Sequence, residues 1–375
     1  MMEKNQKRLS KLFLVIFVAA ALLIGFSSTG AFAKAKNPLA VGSPQDLKNL
    51  FWVNWMAGFE EACKQLGLPT LAVDGQGQEA TQLHGIEDAI VKGAKFLMVS
   101  PFGGVSGQTI VEQCDEAGVY VTMWSGMSPE DLPPAKYKHY TGWVTNYADP
   151  QGYLLAKELF KKLGGKGKIV ALHGTPGGDH AEGRKRGMHE ALKEFPGIKL
   201  LKEQTAYWRR QDALNLMADY LVTYPEIDGV VATNDEMGLG AIEAMRDANR
   251  MIPCTGLDAI EGALQAVRKG EMLFTINQDQ YSAGALSAVF MYDHWKDFGK
   301  PKGNEKKPRE GVVLMSELTK EDLPGWKSGK IGLHAIYKED VTDKYIKEQG
   351  RPVVDWRLSS KAWCKENGVE YKGSF

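Results

Sequence analysis

The sequence predicts an α/β protein built from two similar domains, each with a doubly wound parallel sheet. Two observations lead to this prediction. Short apolar runs, typical of parallel strands buried on both faces, alternate with segments of helical periodicity. The alternation then begins again in the second half of the chain. A β-α-β-α order implies a parallel sheet with right-handed crossovers.

The first half contains three predicted strands and two predicted helices. Leu-Ala-Val at 71–73, Phe-Leu-Met-Val at 96–99 and Val-Tyr-Val-Thr-Met at 119–123 are short apolar runs of the kind that form buried strands. Apolar residues recur at helical spacing over 79–91 and 105–117. Each of these helices therefore connects two strands of one sheet.

The second half repeats this order. Helices predicted at 152–163 and 184–195 lie on either side of a strand at 168–172, Lys-Ile-Val-Ala-Leu. Further strands are predicted at 199–201 and 230–232, both short and apolar. The second half therefore predicts its own parallel sheet.

A short repeated pattern supports the duplication. Residues 58–64 (GFEEACK) and 187–193 (GMHEALK) both read Gly–apolar–x–Glu–Ala–x–Lys on the first long helix of a half. A short strand is predicted after each helix. Chance similarity between amphipathic helices is the alternative, and the matching order of the surrounding elements argues against it.

The first 33 residues are predicted to be a cleavable signal peptide. Four basic residues precede an apolar run at 12–26, which is shorter than the roughly 20 residues of a membrane span, and residues 31–33 read Ala-Phe-Ala, a typical cleavage site. No cysteine comes directly after the apolar run, so attachment of a lipid at a new N-terminal cysteine is not expected. The mature chain is predicted to begin near Lys34 and to be soluble in the periplasm.

Charge and cysteine usage narrow the possible functions. The chain has 46 basic and 46 acidic residues, and removing the four basic and one acidic residue of the signal peptide leaves 42 and 45. The chain has no stripe of basic residues that would indicate nucleic acid as a partner. The cysteines, Cys63, Cys114, Cys254 and Cys364, have no zinc-binding spacing. Two disulfide states are possible. Export permits a Cys63–Cys364 bridge, and the alternative is that the cysteines are buried free thiols.

The stretch from Gly229 to Ala241 is the most informative about function. An apolar strand ends abruptly in Asn234 and Asp235, and a helix pattern begins directly after them. Open α/β sheets bind small ligands at the carboxyl ends of their strands. A purely capping role for Asn234 or Asp235 is the alternative. The recurrence of polar residues at other strand ends favours a binding site.

Ten polar or aromatic residues follow predicted strands in this way, and we predict that they bind the ligand. They are Asn49, Phe51, Trp52, Trp124, Ser125, Arg184, Trp208, Asn234, Asp258 and Gln278. Two α/β halves that face each other would bring these strand ends to one crevice. Aromatic rings pack on the C–H faces of a sugar, and charged groups make strong hydrogen bonds to its hydroxyls. The mixture therefore predicts a small carbohydrate-like ligand, a monosaccharide or a polyol.

Five segments carry a resemblance to a known family. They are residues 49–52 (NLFW), 184–187 (RKRG), 234–240 (NDEMGLG), 256–258 (GLD) and 275–278 (TINQ). Over about residues 38–320 the chain resembles the type I periplasmic sugar-binding proteins, the ribose-binding-like group that feeds ABC transporters. The resemblance implies that Phe51, Trp52 and Trp208 sandwich a sugar ring. It also implies that the hydroxyls are held by Asn49, Arg184, Asn234, Asp258 and Gln278.

The resemblance also implies a division into two domains joined by a three-strand hinge. The N-terminal domain would take 38–145 plus 279–307, and the C-terminal domain 146–278 plus 308–320. The crossings are expected near 144–147, 277–279 and 306–312. Residues 321–375 form an extension that contains Trp326, Trp356 and Trp363. Because it is rich in tryptophan, the extension is expected to pack on the outside of the domains or across the hinge, unless it serves as a surface for a partner.

The chain departs from the ribose-binding pattern at one pair of residues. Where that pattern has Asp-Arg after the fourth strand, this chain has Trp124-Ser125. An unpaired ligand hydroxyl costs roughly 1–3 kcal/mol, so the change disfavours ribose itself. A ligand with an apolar patch, or a smaller or deoxygenated one, fits better. Hexoses, pentoses, polyols and autoinducer-2 remain open.

The sequence therefore predicts a monomeric, non-enzymatic solute-binding protein that delivers its ligand to an ABC transporter permease. No catalytic, metal-binding or cofactor motif is found, and the histidines at 173 and 180 are expected to be incidental, so that replacing His180 should matter little. The alternative is a periplasmic sensor that presents autoinducer-2 or another small solute to a chemoreceptor. Sequence does not separate these two roles.

Overall fold

The computed structural model describes residues 37–125, 137–300 and 312–372. The predicted signal peptide at 1–33 and most of the hinge crossing predicted at 306–312 lie outside the described residues. From Leu39 onward, the described residues belong to one compact unit. Within this unit most strands belong to two largely parallel sheets, and we call each of these sheets with its helices a lobe.

The first lobe contains a six-stranded parallel sheet with the order β11-β5-β4-β3-β1-β2. Its strands are β1 (Leu39–Ser43), β2 (Thr70–Ala72), β3 (Ala94–Val99), β4 (Tyr120–Trp124), β5 (Tyr140–Thr145) and, from later in the chain, β11 (Val312–Leu314). The helices between them are α1 (Leu50–Gln65), α2 (Glu79–Val91) and α3 (Gly104–Ala117). Buried residues of β1, β3 and β4 lie between helices on both faces of the sheet, which explains their continuous apolar runs.

The second lobe repeats this arrangement. Its strands are β6 (Lys166–His173), β7 (Gly197–Thr205), β8 (Gly229–Ala232), β9 (Thr255–Leu257), β10 (Phe274–Asn277) and β13 (His334–Ile336). They form the groups β7-β6-β8 and β9-β10-β13, which a parallel bridge between Val230 and Cys254 connects. The helices are α4 (Ala148–Lys162), α5 (Asp179–Glu194), α6 (Arg210–Thr223), α7 (Asp235–Asp247) and α8 (Glu261–Lys269). The predicted duplication of a parallel α/β fold is thus confirmed.

The chain crosses from one lobe to the other after β5 and again after β10, and the helix after each crossing packs in the lobe that the chain enters. After β5, helix α4 enters the second lobe and packs on α5; after β10, helix α9 (Gln280–Trp295) returns to the first lobe and packs on α1. The glycines of the repeated pattern lie in these two contacts. A Cβ at Gly58 would lie 1.8 Å from the Tyr281 carbonyl oxygen, and one at Gly187 would lie 1.9 Å from the Asp149 carbonyl oxygen. The shared glycine therefore permits the same close helix packing in both lobes.

The predicted domain boundaries are wrong after residue 307. Residues 308–320 were expected in the second domain, but β11 pairs in parallel with β5 in the first lobe. The strand beside β10 is β13, which comes from the extension and is antiparallel. The extension was expected to pack on the outside of the domains or across the hinge, whereas its strand β13 joins the sheet of the second lobe. Strand β10 pairs with β9 on one edge, and its other edge would leave backbone groups without hydrogen bonds. Pairing with β13 satisfies these groups.

The rest of the extension returns to the first lobe. Its elements are β12 (Trp326–Ser328), α10 (Asp343–Glu348), β14 (Val353–Val354), α11 (Trp356–Ser359) and α12 (Lys361–Glu366). Helix α10 packs against the second lobe, whereas β12, β14, α11 and α12 belong with the first. Asp293 of α9 anchors this end by accepting hydrogen bonds from Ser360 Oγ at 2.7 Å and from the Lys361 amide at 3.0 Å. Within the described residues the chain thus passes between the lobes four times rather than the predicted three.

The cysteines and the helices complete the picture of the fold. All four cysteines are buried and free, so the structure has buried thiols in place of a Cys63–Cys364 bridge. None of the helices in the described part of the chain is long and apolar enough to cross a membrane.

Candidate functional site

A cavity of about 450 Å³ lies between the two lobes. All ten residues predicted from the sequence line it. Residues from both lobes contribute, together with Gln278 from the segment that connects β10 to α9. The residues predicted from strand ends therefore lie around one cavity. Their contact with a ligand stays a prediction.

Arg184 is the buried cation of the site. Its side chain comes from α5 and is 3% exposed. The guanidinium donates from Nε to Gln151 Oε1 at 2.8 Å and from Nη1 to the Thr233 carbonyl at 2.7 Å. It also lies 5.3 Å from the ring of Trp208. Burial lowers the pKa of Arg184 to about 10, against the raising effect of Asp258, so the group is charged at neutral pH and fixed in position.

Asp258 is the matching acid, at the end of β9. Its Oδ1 accepts a hydrogen bond from Gln278 Nε2 at 2.7 Å, and its backbone carbonyl accepts from Gln280 Nε2 at 2.8 Å. Burial raises the pKa of Asp258 to about 7, although Arg184 acts in the opposite direction. Its φ of 130° is a conformation that non-glycine residues rarely adopt and that clusters at functional sites. The bond from Gln278 holds the carboxylate, and the bond from Gln280 holds the backbone of Asp258.

The two asparagines of the site both cap helices. Asn49 Oδ1 accepts from the Phe51 amide at 2.9 Å at the start of α1, and Asn234 Oδ1 accepts from the Met237 amide at 2.9 Å at the start of α7. The capping interpretation of Asn234 is thus correct, and it does not exclude a place in the cavity wall. Because the cap uses the amide oxygen, the amide nitrogen Nδ2 is the donor that each side chain can offer to a ligand.

Asp235 has a structural role next to the cavity. Its carboxylate accepts from the Ile260 amide at 2.9 Å and from Thr275 Oγ1 at 2.6 Å, which ties α7 to the loop after β9 and to β10. Burial, with a further effect of Asp258, raises the pKa of Asp235 well above its ordinary value. It does not line the cavity.

The first lobe contributes most of the aromatic surface. The rings of Phe51 and Trp52 meet edge to face with centroids 4.7 Å apart, and Phe51 lies 6.2 Å from Trp124. Trp124 is 1% exposed, so the core of the lobe fixes its position. From the second lobe, Trp208 adds a half-buried ring. This part of the wall can pack against apolar C–H groups.

The expectation that His180 is incidental is contradicted by its place in the cavity wall. Its Nδ1 lies 2.7 Å from Ser125 Oγ, and its ring centroid lies 6.4 Å from that of Trp124. His180 and Ser125 belong to different lobes, so this hydrogen bond spans the cavity. Burial, together with Arg184, lowers the pKa of His180 to about 3. The other doubtful histidine, His173, bonds Glu203 and is not in the wall.

A helix boundary explains why His180 was missed. The helix was predicted to begin at Arg184, but α5 begins at Asp179 after a glycine-rich turn. His180 and Arg184 are therefore i and i+4 on one helix and share a face. Had the acidic residues Asp179 and Glu182 been taken as first-turn residues, this face would have been visible in the sequence.

Other cavity residues were also missed. Gln45 and Asp46 lie two and three residues after the end of β1, and Phe102, Asp179 and Tyr207 come from later loops and from the start of α5. The position of Gln45 and Asp46 at a strand end was the available signal. Within the described ranges, no group of three or more His, Cys, Asp or Glu side chains could hold a metal ion.

These features define a class of protein. Two α/β lobes, linked by several crossings of one chain, enclose a cavity to which both contribute polar and aromatic side chains. This is the architecture of a two-lobed solute-binding protein that holds a small molecule between its lobes.

Comparison with known proteins identifies the family. The family model described as "periplasmic binding protein domain" matches residues 41–301. The chain belongs to this family, and the resemblance to the type I periplasmic sugar-binding proteins is confirmed. It is a family of binding proteins, so the prediction that the protein is not an enzyme is confirmed as well.

Individual relatives agree with this assignment. The xylitol-binding protein of Mycolicibacterium smegmatis is 38% identical over 167 residues, which cover 43% of this chain and 45% of that protein. The ribose import binding protein of Haemophilus influenzae is 28% identical over 277 residues, covering 72% of this chain and 90% of that protein. A crystal structure of a twin-arginine translocation pathway signal protein from Burkholderia phytofirmans is 28% identical with a TM-score of 0.73, covering 85% of this chain and 95% of that one.

Proposed function

We propose that the protein captures a small carbohydrate-like solute, a monosaccharide or a polyol, between its lobes and delivers it to the permease of an ABC transporter. The observation that carries this proposal is the cavity, which combines the buried network of Arg184, Asp258 and Gln278 with the rings of Phe51, Trp124 and Trp208. A sugar or polyol presents both hydroxyls and C–H groups, which match these two kinds of surface. The names of the xylitol-binding and ribose import relatives support the same solute class.

The solute is proposed to be uncharged. Arg184 and Asp258 are the buried cation and acid of the cavity: Asp258 raises the pKa of Arg184, and Arg184 lowers the pKa of Asp258. His180 is neutral at neutral pH because its pKa is depressed to about 3. A charged ligand would add a buried charge without a dedicated partner, which is costly.

Capture is proposed to couple to closure of the lobes about the connecting segments. A solute that touches Trp124 of the first lobe and Arg184 of the second makes its full set of contacts only when the lobes are together. Binding then favours the closed form by the difference in affinity between the two forms. The permease would recognise this closed form of a monomer. We propose that the protein reaches the periplasm by its cleavable signal peptide and carries no lipid.

The proposal is tested by thermal unfolding of residues 34–375 against a panel of sugars, polyols, nucleosides and autoinducer-2. A ligand at a hundred times its dissociation constant adds about 2.7 kcal/mol to the unfolding free energy, which raises the melting temperature measurably. We expect stabilisation by at least one carbohydrate. Stabilisation by a nucleoside or by autoinducer-2 alone, with no response to any sugar or polyol, would overturn the solute class.

A further inference from the structure

The apolar surface of the cavity includes a continuous region at the carboxyl end of β4. The rings of Phe51, Trp124 and His180 follow one another with centroid separations of 6.2 and 6.4 Å. Phe51 and Trp124 are 7% and 1% exposed, so packing in the lobe fixes both rings. We call these three residues together with Ser125 the β4 subsite.

The hydroxyl of the β4 subsite is already engaged by the protein. Ser125 Oγ lies 2.7 Å from His180 Nδ1, and the Asp179 carboxylate lies 3.6 Å from the same ring nitrogen. The other ring nitrogen, Nε2, is buried without a hydrogen-bond partner among the described residues, which suits an uncharged ring. A ligand hydroxyl placed here would have to share Ser125 with His180. The subsite therefore offers a ligand mainly apolar surface.

Other parts of the cavity are polar. Arg184, Asn234 and Asp258 come from the second lobe, and Gln278 comes from the connection between the lobes. Gln45, Asp46 and Asn49 of the first lobe follow β1, and the sheet order places β3 between β1 and β4. Ring hydroxyls of a sugar can thus be bonded by these groups while one edge of the sugar faces the β4 subsite.

We propose that the bound solute is a neutral 6-deoxyhexose, a hexose with a methyl group in place of its hydroxymethyl group, and that the methyl group lies on the β4 subsite. The inference rests on the proposed function and narrows its solute class. A methyl group there leaves water and packs on three rings, which is favourable. A hydroxymethyl group there would lose a hydrogen bond to water without a full replacement.

Matched pairs of sugars test this inference by isothermal titration calorimetry. The pairs are L-fucose with L-galactose, D-fucose with D-galactose, and L-rhamnose with L-mannose, each differing by one hydroxyl. We expect the deoxy sugar of at least one pair to bind about 5- to 150-fold more tightly, which corresponds to one unpaired hydroxyl at about 1–3 kcal/mol.

The other outcomes separate this inference from the proposed function. Equal or tighter binding of every parent hexose overturns the inference, and so does binding of a pentose or polyol with none of the deoxy sugars. In both cases the proposed function stands. Absence of binding by any carbohydrate overturns both.

A variant of Ser125 tests the location. Ser125→Asn adds a donor and an acceptor to the β4 subsite, and asparagine tolerates the left-handed backbone of this residue, whose φ is 49°. We expect most of the preference for the deoxy sugar to be lost. Arg186→Ala, which removes an exposed ion pair with Asp149, should keep the wild-type preference. An unchanged preference in Ser125→Asn would show that the methyl group does not lie at this subsite.

Discussion

The two lobes share their fold but contribute differently to the cavity. Both have the same strand order through five strands, and in both a helix that follows the other lobe's sheet packs against a glycine of the lobe's own helix. Both lobes contribute rings and polar groups, yet the cluster of Phe51, Trp52 and Trp124 belongs to the first lobe, whereas the buried charged groups Arg184 and Asp258 belong to the second. The duplicated fold thus places a cavity between the lobes, and under the proposed function the residues at the strand ends select the solute.

The largest expected effect on ligand affinity comes from removing a buried charged group of the second lobe. Arg184→Ala should weaken binding of the best carbohydrate by about 2–5 kcal/mol, roughly 30-fold to several thousand-fold, because Asp258 then stays buried without its cation. Isothermal titration measures the change. Arg186→Ala, two residues along the same helix but exposed, is the matched control and should bind within about twofold of the wild type. Wild-type affinity in Arg184→Ala would mean that the site is assigned wrongly.

The equivalence of the lobes is tested next. Gly58→Ala and Gly187→Ala each place a Cβ within 2 Å of a backbone carbonyl oxygen, so each should lower the unfolding free energy by about 3 kcal/mol. Denaturant unfolding measures both. Gly103→Ala is the control, since a Cβ there meets nothing within 4 Å. A large effect in one lobe and none in the other would contradict equivalent helix packing.

A smaller effect, on the pH dependence of the unfolding free energy, is expected from His180, which lies where the lobes meet. Its pKa is about 3 in the folded protein, against about 6.5 when unfolded, because it is buried beside Arg184. A depressed histidine pKa gives stability that is fully present above pH 6.5 and is lost as the pH falls toward 3. Between pH 8 and pH 5 the wild type should therefore lose on the order of 2 kcal/mol more unfolding free energy than His180→Gln.

Urea unfolding at the two pH values measures this difference. The groups that face His180 are Arg184 and Asp179 on its own helix and Ser125 on the other lobe. His173 and His334 also have lowered pKa values and are present in both proteins, so their contribution cancels. Identical loss of stability in the wild type and His180→Gln would contradict a buried, neutral His180.

The smallest effect is expected for a partly exposed ring of the first lobe. Trp52→Leu should weaken carbohydrate binding by about 1 kcal/mol, because an aromatic contact is replaced by a smaller aliphatic one. Trp326→Leu removes a similarly half-buried ring from the extension, outside the cavity, and should leave affinity unchanged. Titration of both variants with one sugar makes the comparison. Equal affinities would show that Trp52 only supports the core.

Much of the site could be predicted because strand ends are visible in the sequence. An apolar run that stops at a polar residue marks both the strand and its carboxyl end, as at Asn234 and Asp258. Parallel pairing then brings these ends to one edge of the sheet. His180 could not be found this way, because it lies on a helix whose first turn follows a glycine-rich segment and has no clear apolar pattern.

The path of the extension was beyond prediction for a different reason. Strands β11 and β13 have three residues each, too few for a recognisable period, and nothing in so short a run specifies the strand with which it pairs. Strand β13 joins the second lobe because it pairs with the open edge of β10. Such pairing depends on the assembled fold rather than on local sequence, so the domain boundary after residue 307 was assigned wrongly.

The most direct test is a crystal structure of residues 34–375 with the sugar that stabilises the protein most. We expect electron density for one sugar between the lobes, with hydroxyls bonded by Arg184, Asn234 or Asp258 and with an apolar edge against Trp124. A sugar bound outside this cavity, or one that contacts a single lobe, would contradict this expectation.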